Sequence, residues 1–265
     1  MLVVSLGFDT YGQTGSGPTA LEEAISICEA AADEGITVRL AGGLAIQYLT
    51  PDFPPRGGDN QDLDLAAPSS DRRQLTRFLT DRGYVADKNF NALYGHKQLY
   101  FQSAQTGRSL DVLIDRLHMC HTVEFKDRLT RMPVTLDLSD LLLTKLQIVE
   151  LNEKDAQDVL YLFSAYPVRD GDEPGTIGLG RIRPIVGNDW GWWRTVTLNL
   201  NRITALASGD GQRLVPAGGK HNAIEQLAVL SKAIDTAPKS FRWKARAKVG
   251  ERVRWYELPE ETAHH

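Results

Sequence analysis

The stretch Gly57–Pro68 reads GGDNQDLDLAAP, and within it Asp62 and Asp64 alternate with Leu63 and Leu65. In an extended strand, residues i and i+2 project to one face, about 6.5–7 Å apart. The leucines then face a core and the two carboxylates project together. Neighbouring carboxylates repel, which raises a pKa, and a divalent cation between them relieves that repulsion. Carboxylates acting together with substrate phosphates are the usual holders of Mg²⁺. A polar strand end in solvent is the simpler reading of the same residues, and the alternation alone does not choose.

The flanks set this strand in an α/β pattern. Thr19 and Glu22 form a capping box, and Leu21, Ile25 and Cys28 then fall on one helical face. Ile36–Leu40 reads as a strand, Ala41-Gly42-Gly43 as a tight turn, and Leu44–Leu49 as a short helix. Residues 71–82 form an amphipathic helix with Leu75, Phe78 and Leu79 inward, stopped by Gly83. Residues 97–104 and 108–115 alternate around Gln105-Thr106-Gly107, a hairpin signature. Residues 139–150 and 152–166 read as two helices. The expected class is α/β (α+β), a mixed sheet flanked by helices.

Residues 169–175 are rich in charge, Gly and Pro and mark a boundary. Three organisational units follow: a flexible lead at 1–18, a sheet domain at 19–168, and a mainly helical domain at 176–260. The last contains helices near 177–186, 190–207 and 222–237. It is expected to end in a β-hairpin, with strands at 241–249 and 252–258. In the first strand Arg242, Lys244, Arg246 and Lys248 alternate with Phe241, Trp243, Ala245 and Ala247. That row of cations is either edge protection or a track for a polyanion such as RNA. Trp190, Trp192 and Trp193 read as core rather than as a base-stacking platform.

The chain has 265 residues, 42% hydrophobic and 24% charged, with a net charge of −4. This is ordinary globular composition, with no general attraction to nucleic acid. No apolar run approaches the ~18 residues of a membrane span, and the N-terminus lacks the basic start of a signal peptide. Cys28 and Cys120 are the two cysteines, which fits free thiols in a reducing cytoplasm. The glycines of Gly12–Thr19 have P-loop spacing, but Pro18 stands where the phosphate-binding lysine is required. Met119-Cys120-His121 has no second Cys/His group at zinc spacing.

Two further features bear on Asp62 and Asp64. Glycines between a strand and a helix, as at Gly42-Gly43, allow close backbone approach to a phosphate; a plain tight turn is the alternative. Asp111 lies inside Leu110-Asp-Val-Leu-Ile114, and an acid there is costly unless paired or on a metal. Asp115 shares its parity but sits at the strand end.

Gly-Gly, then DxD on a strand, then a lone Asp on a later strand resembles the nucleotidyltransferase (DNA polymerase β-like) superfamily. The closer likeness is to AbiEii-type and minimal nucleotidyltransferases, some of them toxins. Asp140-Leu-Leu-Leu-Thr-Lys145-Leu-Gln resembles the family's lysine-bearing helix, and Lys154-Asp155-Ala-Gln-Asp158 its DxxD motif. The resemblance spans roughly residues 35–165. Where the family often carries Arg-x-Thr before the first Asp, Gly58 and Asn60 stand here; Asn60 can hydrogen-bond, Gly58 cannot, and Arg56 reaching in is the alternative.

The resemblance implies Mg²⁺-dependent transfer of an NMP from an NTP to an acceptor hydroxyl. Asp62, Asp64 and Asp111 would hold Mg²⁺, with Asp111 also able to help deprotonate the acceptor. Gly42, Gly43 and Asn60 would contact the nucleotide, and Lys145 would neutralise phosphate charge. Lys145 as a solvated helix lysine is the alternative, as is Asp158 paired with Lys154 at i,i+4 rather than acting in the site. The acceptor is open between RNA, reached through Arg242, Lys244, Arg246 and Lys248, a protein, and a small molecule of aminoglycoside type. A catalytically silent nucleotide-binding or antitoxin-like module is the competing class.

Overall fold

The computed structural model describes residues 17–55 and 61–258. The lead at 1–16, Arg56 to Asn60, and residues 259–265 lie outside the described residues.

The elements in order are α1 (Ala20–Asp33), β1 (Arg39–Leu40), α2 (Gly42–Leu49), β2 (Leu63–Ala67), α3 (Arg72–Asp81), β3 (Tyr84–Ala86), α4 (Lys88–Tyr94), β4 (Gln98–Ser103) and β5 (Ser109–Ile114). After these come β6 (Arg116–His118), β7 (Thr122–Glu124), α5 (Leu138–Leu146), α6 (Glu153–Ala165), β8 (Val168–Arg169) and β9 (Ile177–Gly178). The chain continues with α7 (Leu179–Asn188), α8 (Trp190–Ser208), α9 (Ala223–Thr236) and α10 (Phe241–Val249). This is a mixed α/β architecture with a helical C-terminal region. The main sheet has the order β1-β2-β5-β4-β3, with β2 and β5 parallel and the other pairs antiparallel.

Period-two burial builds the sheet. On β5, Leu110, Val112 and Ile114 are buried while Asp111 and Leu113 face the opposite side. On β2, Leu63 and Leu65 are buried and Asp64 faces the other way. The expected strand at 36–40 shrinks to two residues, because the Thr37 amide donates to Asp71 Oδ2 at 2.9 Å instead of to a neighbouring strand. Every residue of α5 is buried, so this helix sits at the centre of the molecule. One continuous apolar core runs from Ala20 in α1 to Ala237 after α9.

The C-terminal β-hairpin is corrected. Residues 241–249 form α10, followed by a single 3₁₀ turn. Ala, Lys and Arg are strong helix formers, the Ser240 hydroxyl accepts from the Trp243 amide at 3.2 Å, and Gly250 at φ +59° ends the helix. The apolar–basic alternation has no sheet to face, since Phe241 is 88% exposed. In a helix, Arg242 pairs with Arg246 on one face, and Lys244 with Lys248 on another. The cations therefore do not share a row. The tryptophans are core: Trp193 meets Trp243 edge-on at 5.2 Å and Trp190 meets Trp255 at 5.9 Å, fastening α10 and the tail to α8.

Buried charges tie the two halves together. Arg128 meets Asp140 at 2.5 Å, Asp172 at 2.7 Å and Asp137 at 3.1 Å, and Arg181 meets Asp140 at 2.8 Å. Asp172 lies in the stretch expected as a boundary, so this segment is pinned. Burial pushes the Asp172 carboxyl up, but the Arg128 hydrogen bonds and the nearby Arg131 and Arg181 charges hold it below its ordinary value.

Removing Arg128 takes one of two cationic partners from each of Asp137 and Asp140, both essentially without solvent contact, leaving Asp137 to Arg131 and Asp140 to Arg181. Arg128→Ala is expected to cost about 3 kcal/mol, the low end for breaking a buried pair, read from urea unfolding. His121 is a second test. It is buried beside Thr195, 2.9 Å away, and burial pushes its pKa down to about 4. The unfolded chain takes up this proton below pH ~6.5 and the folded chain does so only near 4. Stability is therefore lost as pH falls through that window, by roughly 1.4 kcal/mol per unit. His121→Gln should flatten the slope.

Candidate active site

Asp64 and Asp111 are register partners across the parallel β2–β5 pair. Parallel neighbours lie about 4.8 Å apart, so two carboxylates of equal parity open into one space. The space is a cleft of about 560 Å³ lined by Gly42, Asp64, Tyr94, Lys97, Gln98 and Asp111 on the sheet side and by Thr144, Lys145 and Asp155 on the helical side. Glu257 and Leu258 at the end of the described chain also line it. The tail is held there by the Glu257 carboxylate 2.8 Å from His118 Nε2, and by the Glu257 amide donating to the Cys120 carbonyl.

Each group is positioned by local structure. Gln98, on the antiparallel neighbour β4, donates its side-chain amide to Asp111 Oδ1 at 2.5 Å. Gly42 is the first residue of α2 and has φ +59°, so the glycines open the helix rather than precede it as a turn. A Cβ on Gly42 would fall 2.9 Å from Asp64 Cγ and closer still to Oδ2. The start of α2 thus lies directly against the Asp64 carboxylate. Ala41, which caps α2, supplies no side-chain hydrogen bond, leaving the helix start to backbone groups alone.

Lys145 is 8% exposed. Its Nζ stands 2.9 Å from Asp155 Oδ1 and 2.9 Å from Asp158 Oδ2. It is a buried cleft-wall cation rather than a solvated helix lysine, and Asp158 meets it across the helix pair. Sequence reasoning quoted Asp155 inside its motif but gave it no role; the i,i+3 spacing to Asp158 was the available signal. It also missed Gln98, whose place follows from the hairpin register with β5.

Asp62 precedes β2, is exposed, and is not among the cleft-lining residues. Asn60 lies outside the described residues. Asp115 serves the backbone: at φ +63° its carboxylate accepts from the Ser69 amide at 2.8 Å and its carbonyl from Phe125 and Lys126. Among the described residues, no three His, Cys, Asp or Glu side chains converge at metal-binding spacing. The donors at the cleft floor are two carboxylates. They fit Mg²⁺, a hard cation that takes one or two carboxylates and completes its shell with water and substrate phosphate.

No protein-family model matches the chain, and no curated protein matches it. Among solved structures, an antigenic nucleotidyltransferase-like protein from Paracoccidioides brasiliensis is similar over 84% of this chain and 94% of its own, at 13% identity and a TM-score of 0.39. The STING-associated CdnE c-di-GMP synthase from Capnocytophaga granulosa is similar over 86% and 85%, at 13% identity and a TM-score of 0.26. A tRNA-processing enzyme in its apo form is similar over 92% of this chain and 69% of its own, at 13% identity and a TM-score of 0.29. Likenesses this remote carry no argument about what this chain does.

Gly42→Ala tests the α2–Asp64 contact. A left-handed φ costs a non-glycine residue roughly 1–2 kcal/mol, and here the added Cβ also displaces Asp64. Gly35→Ala is the control, since Gly35 has φ +73° with open space around it. The Gly42 variant should lose clearly more stability than the Gly35 variant in denaturant titrations. Equal losses would mean that Asp64 does not need this close approach.

Proposed function

We propose that this chain is a Mg²⁺-dependent nucleotidyltransferase that moves an NMP from an NTP to an acceptor hydroxyl. The observation carrying the reading is the pairing of Asp64 with Asp111 in register on β2 and β5, against the start of α2. Asp64 and Asp111 would hold the cation, and Asp62, two residues earlier and just ahead of β2, is proposed to join them when substrate is bound. When present, the cation stabilises charge on the attacking and leaving oxygens.

The residues of the chain account for the rest of the chemistry. The acceptor oxygen forms a bond to the α-phosphorus as the bond to the β-phosphate oxygen breaks. Asp111, oriented by Gln98, takes the acceptor proton, and pyrophosphate leaves. The backbone N–H groups of Gly42 and Gly43 hold phosphate at the α2 N-terminus, where the helix dipole favours negative charge. Lys145, held between Asp155 and Asp158, presents its charge to the departing phosphates. Asn60 contacts the nucleotide.

Residues 19–168 are proposed as the catalytic unit and 176–260 as the unit that completes the acceptor side, a division supported by Glu257 and Leu258 lining the cleft. The likeness to AbiEii-type proteins makes a toxin role the finer reading. Two buried free thiols, Cys28 and Cys120, accord with a cytoplasmic site of action. Among the described residues no helix is long and apolar enough to cross a membrane.

The test is incubation with each α-³²P-labelled NTP, Mg²⁺ and total RNA, beside an Asp64→Asn/Asp111→Asn variant shown to melt like the parent. The expected result is label transferred by the parent and a loss of at least about 10³-fold in the variant, in line with removal of charge-stabilising groups. Label on the protein or on a small molecule keeps the chemistry and changes the acceptor. No transfer, with no Mg²⁺-dependent NTP binding, would leave a silent module.

A further inference from the structure

A second cavity, of about 710 Å³, lies between α3 and α4. Its walls carry Arg72, Arg73, Thr76 and Arg77 from α3, and Lys88 and Asn91 from α4; His96 also lines it, over a floor that includes Ala86 and Leu99. No carboxylate lines it. Arg72 donates to the Gly95 carbonyl at 2.9 Å. Arg73, Arg77, Lys88 and His96 have no acidic partner among the described residues. Asp81, four residues after Arg77 on α3, is exposed and does not line the cavity; the acids flanking the two helices on their N-terminal sides are committed elsewhere. Asp71 accepts from the Thr37 amide and the Ser70 hydroxyl, and Asp87 accepts from the Phe90 amide.

This arrangement is unfavourable by itself. Arg73 and Arg77 stand at i,i+4, a like-charge spacing that destabilises a helix, and Arg72 and Arg73 occupy the first turn, where the dipole favours acids. The whole chain carries a net charge of −4, so a groove with several cations and no acid runs against the overall balance. An anion relieves both penalties. Arg73 and Arg77 are about 6 Å apart along the helix by its rise, which suits a run of phosphates better than a single one.

The position of the groove identifies the class of anion. Its second wall, α4, turns its other side to the cleft, where Phe90 and Tyr94 join Asp64 and Asp111 in the lining. One helix width, about 10–12 Å, separates the two spaces. A linear polyanion can lie in the groove, cross α4 at Tyr94, and enter the cleft with its end. Aromatic steps beside a basic groove are how single strands are held without sequence preference. Resting on the nucleotidyltransferase reading of the cleft, we propose that the α3–α4 groove binds the phosphate backbone of a single-stranded RNA that is the acceptor. The groove replaces the C-terminal row of Arg242, Lys244, Arg246 and Lys248, which α10 divides between two faces.

The test uses the full chain and a labelled single-stranded RNA oligonucleotide, read by fluorescence anisotropy across a salt series without Mg²⁺ or NTP. Binding should weaken steeply with salt. Arg73→Ala/Arg77→Ala should bind at least tenfold more weakly and lower the slope of log K against log salt by about 1.4, the value for two single-strand phosphate contacts. Arg73→Lys/Arg77→Lys should keep most of the binding, which a merely structural role for the arginines would not predict. Circular dichroism melting confirms that the variants fold. No RNA binding at low salt, binding unchanged in the alanine variant, or binding of inorganic phosphate or anionic vesicles in place of RNA would overturn the proposal. NTP binding with Mg²⁺ is measured separately on the same samples. Its loss in every sample strikes the cleft reading, whereas RNA results strike the groove.

Discussion

Everything proposed for this chain depends on one backbone constraint, the parallel, in-register pairing of β2 with β5. A strand turns its side chains over every residue, so a shift of one position would send Leu110 and Val112 outward and Asp111 into the core. Burial of Leu63, Leu65, Leu110 and Val112 fixes the register, and the register places Asp64 beside Asp111. The acids are juxtaposed because the leucines on the opposite face must be buried. Gln98 and the start of α2 then complete a site whose geometry the core has already set.

The helical half contributes in a different way. The all-buried α5 presents Lys145 from below the cleft, and α6 supplies Asp155 and Asp158 to hold its ammonium in place. A buried lysine is costly without such partners. At the other end of α5, Asp137 and Asp140 are neutralised by Arg128, and Arg128 reaches Asp172 in the segment leading to the C-terminal helices. One short helix thus anchors the cleft wall at one end and the connection between the halves at the other. The like-charged groove between α3 and α4 contrasts with both clusters, because its cations are not answered by acids.

Much of this was legible in the sequence because it rests on local period. The alternation of Asp62 and Asp64 with leucines, the acid within Leu110–Ile114, and the hairpin around Gln105–Gly107 each declare a strand and its faces. What sequence could not supply is pairing. Nothing local says that β5 lies beside β2, that Gln98 would meet Asp111, or that Lys145 would turn to Asp155 and Asp158. Asp62 and Asp64 shared a parity, yet only Asp64 lies within the sheet and lines the cleft. The C-terminal segment failed for another reason. A nine-residue stretch alternating basic and apolar residues satisfies a period of two, but its residues are helix formers and its apolar positions had no sheet to cover. Ser240 and Gly250 were the local signals for a capped helix. The groove residues of α3 were read only as the polar side of an amphipathic helix and α4 was not read at all, since the absence of facing acids appears only when the two helices are brought together.

The central claim is that Asp64 and Asp111 together hold a divalent cation with nucleotide. The most direct test is Mn²⁺ binding followed by electron paramagnetic resonance, with and without a non-hydrolysable NTP, in the parent and in separate Asp64→Asn and Asp111→Asn variants. The account predicts that nucleotide strengthens Mn²⁺ binding in the parent and that either single substitution abolishes this coupling. Equal Mn²⁺ binding with and without nucleotide, or coupling that survives both substitutions, would contradict it.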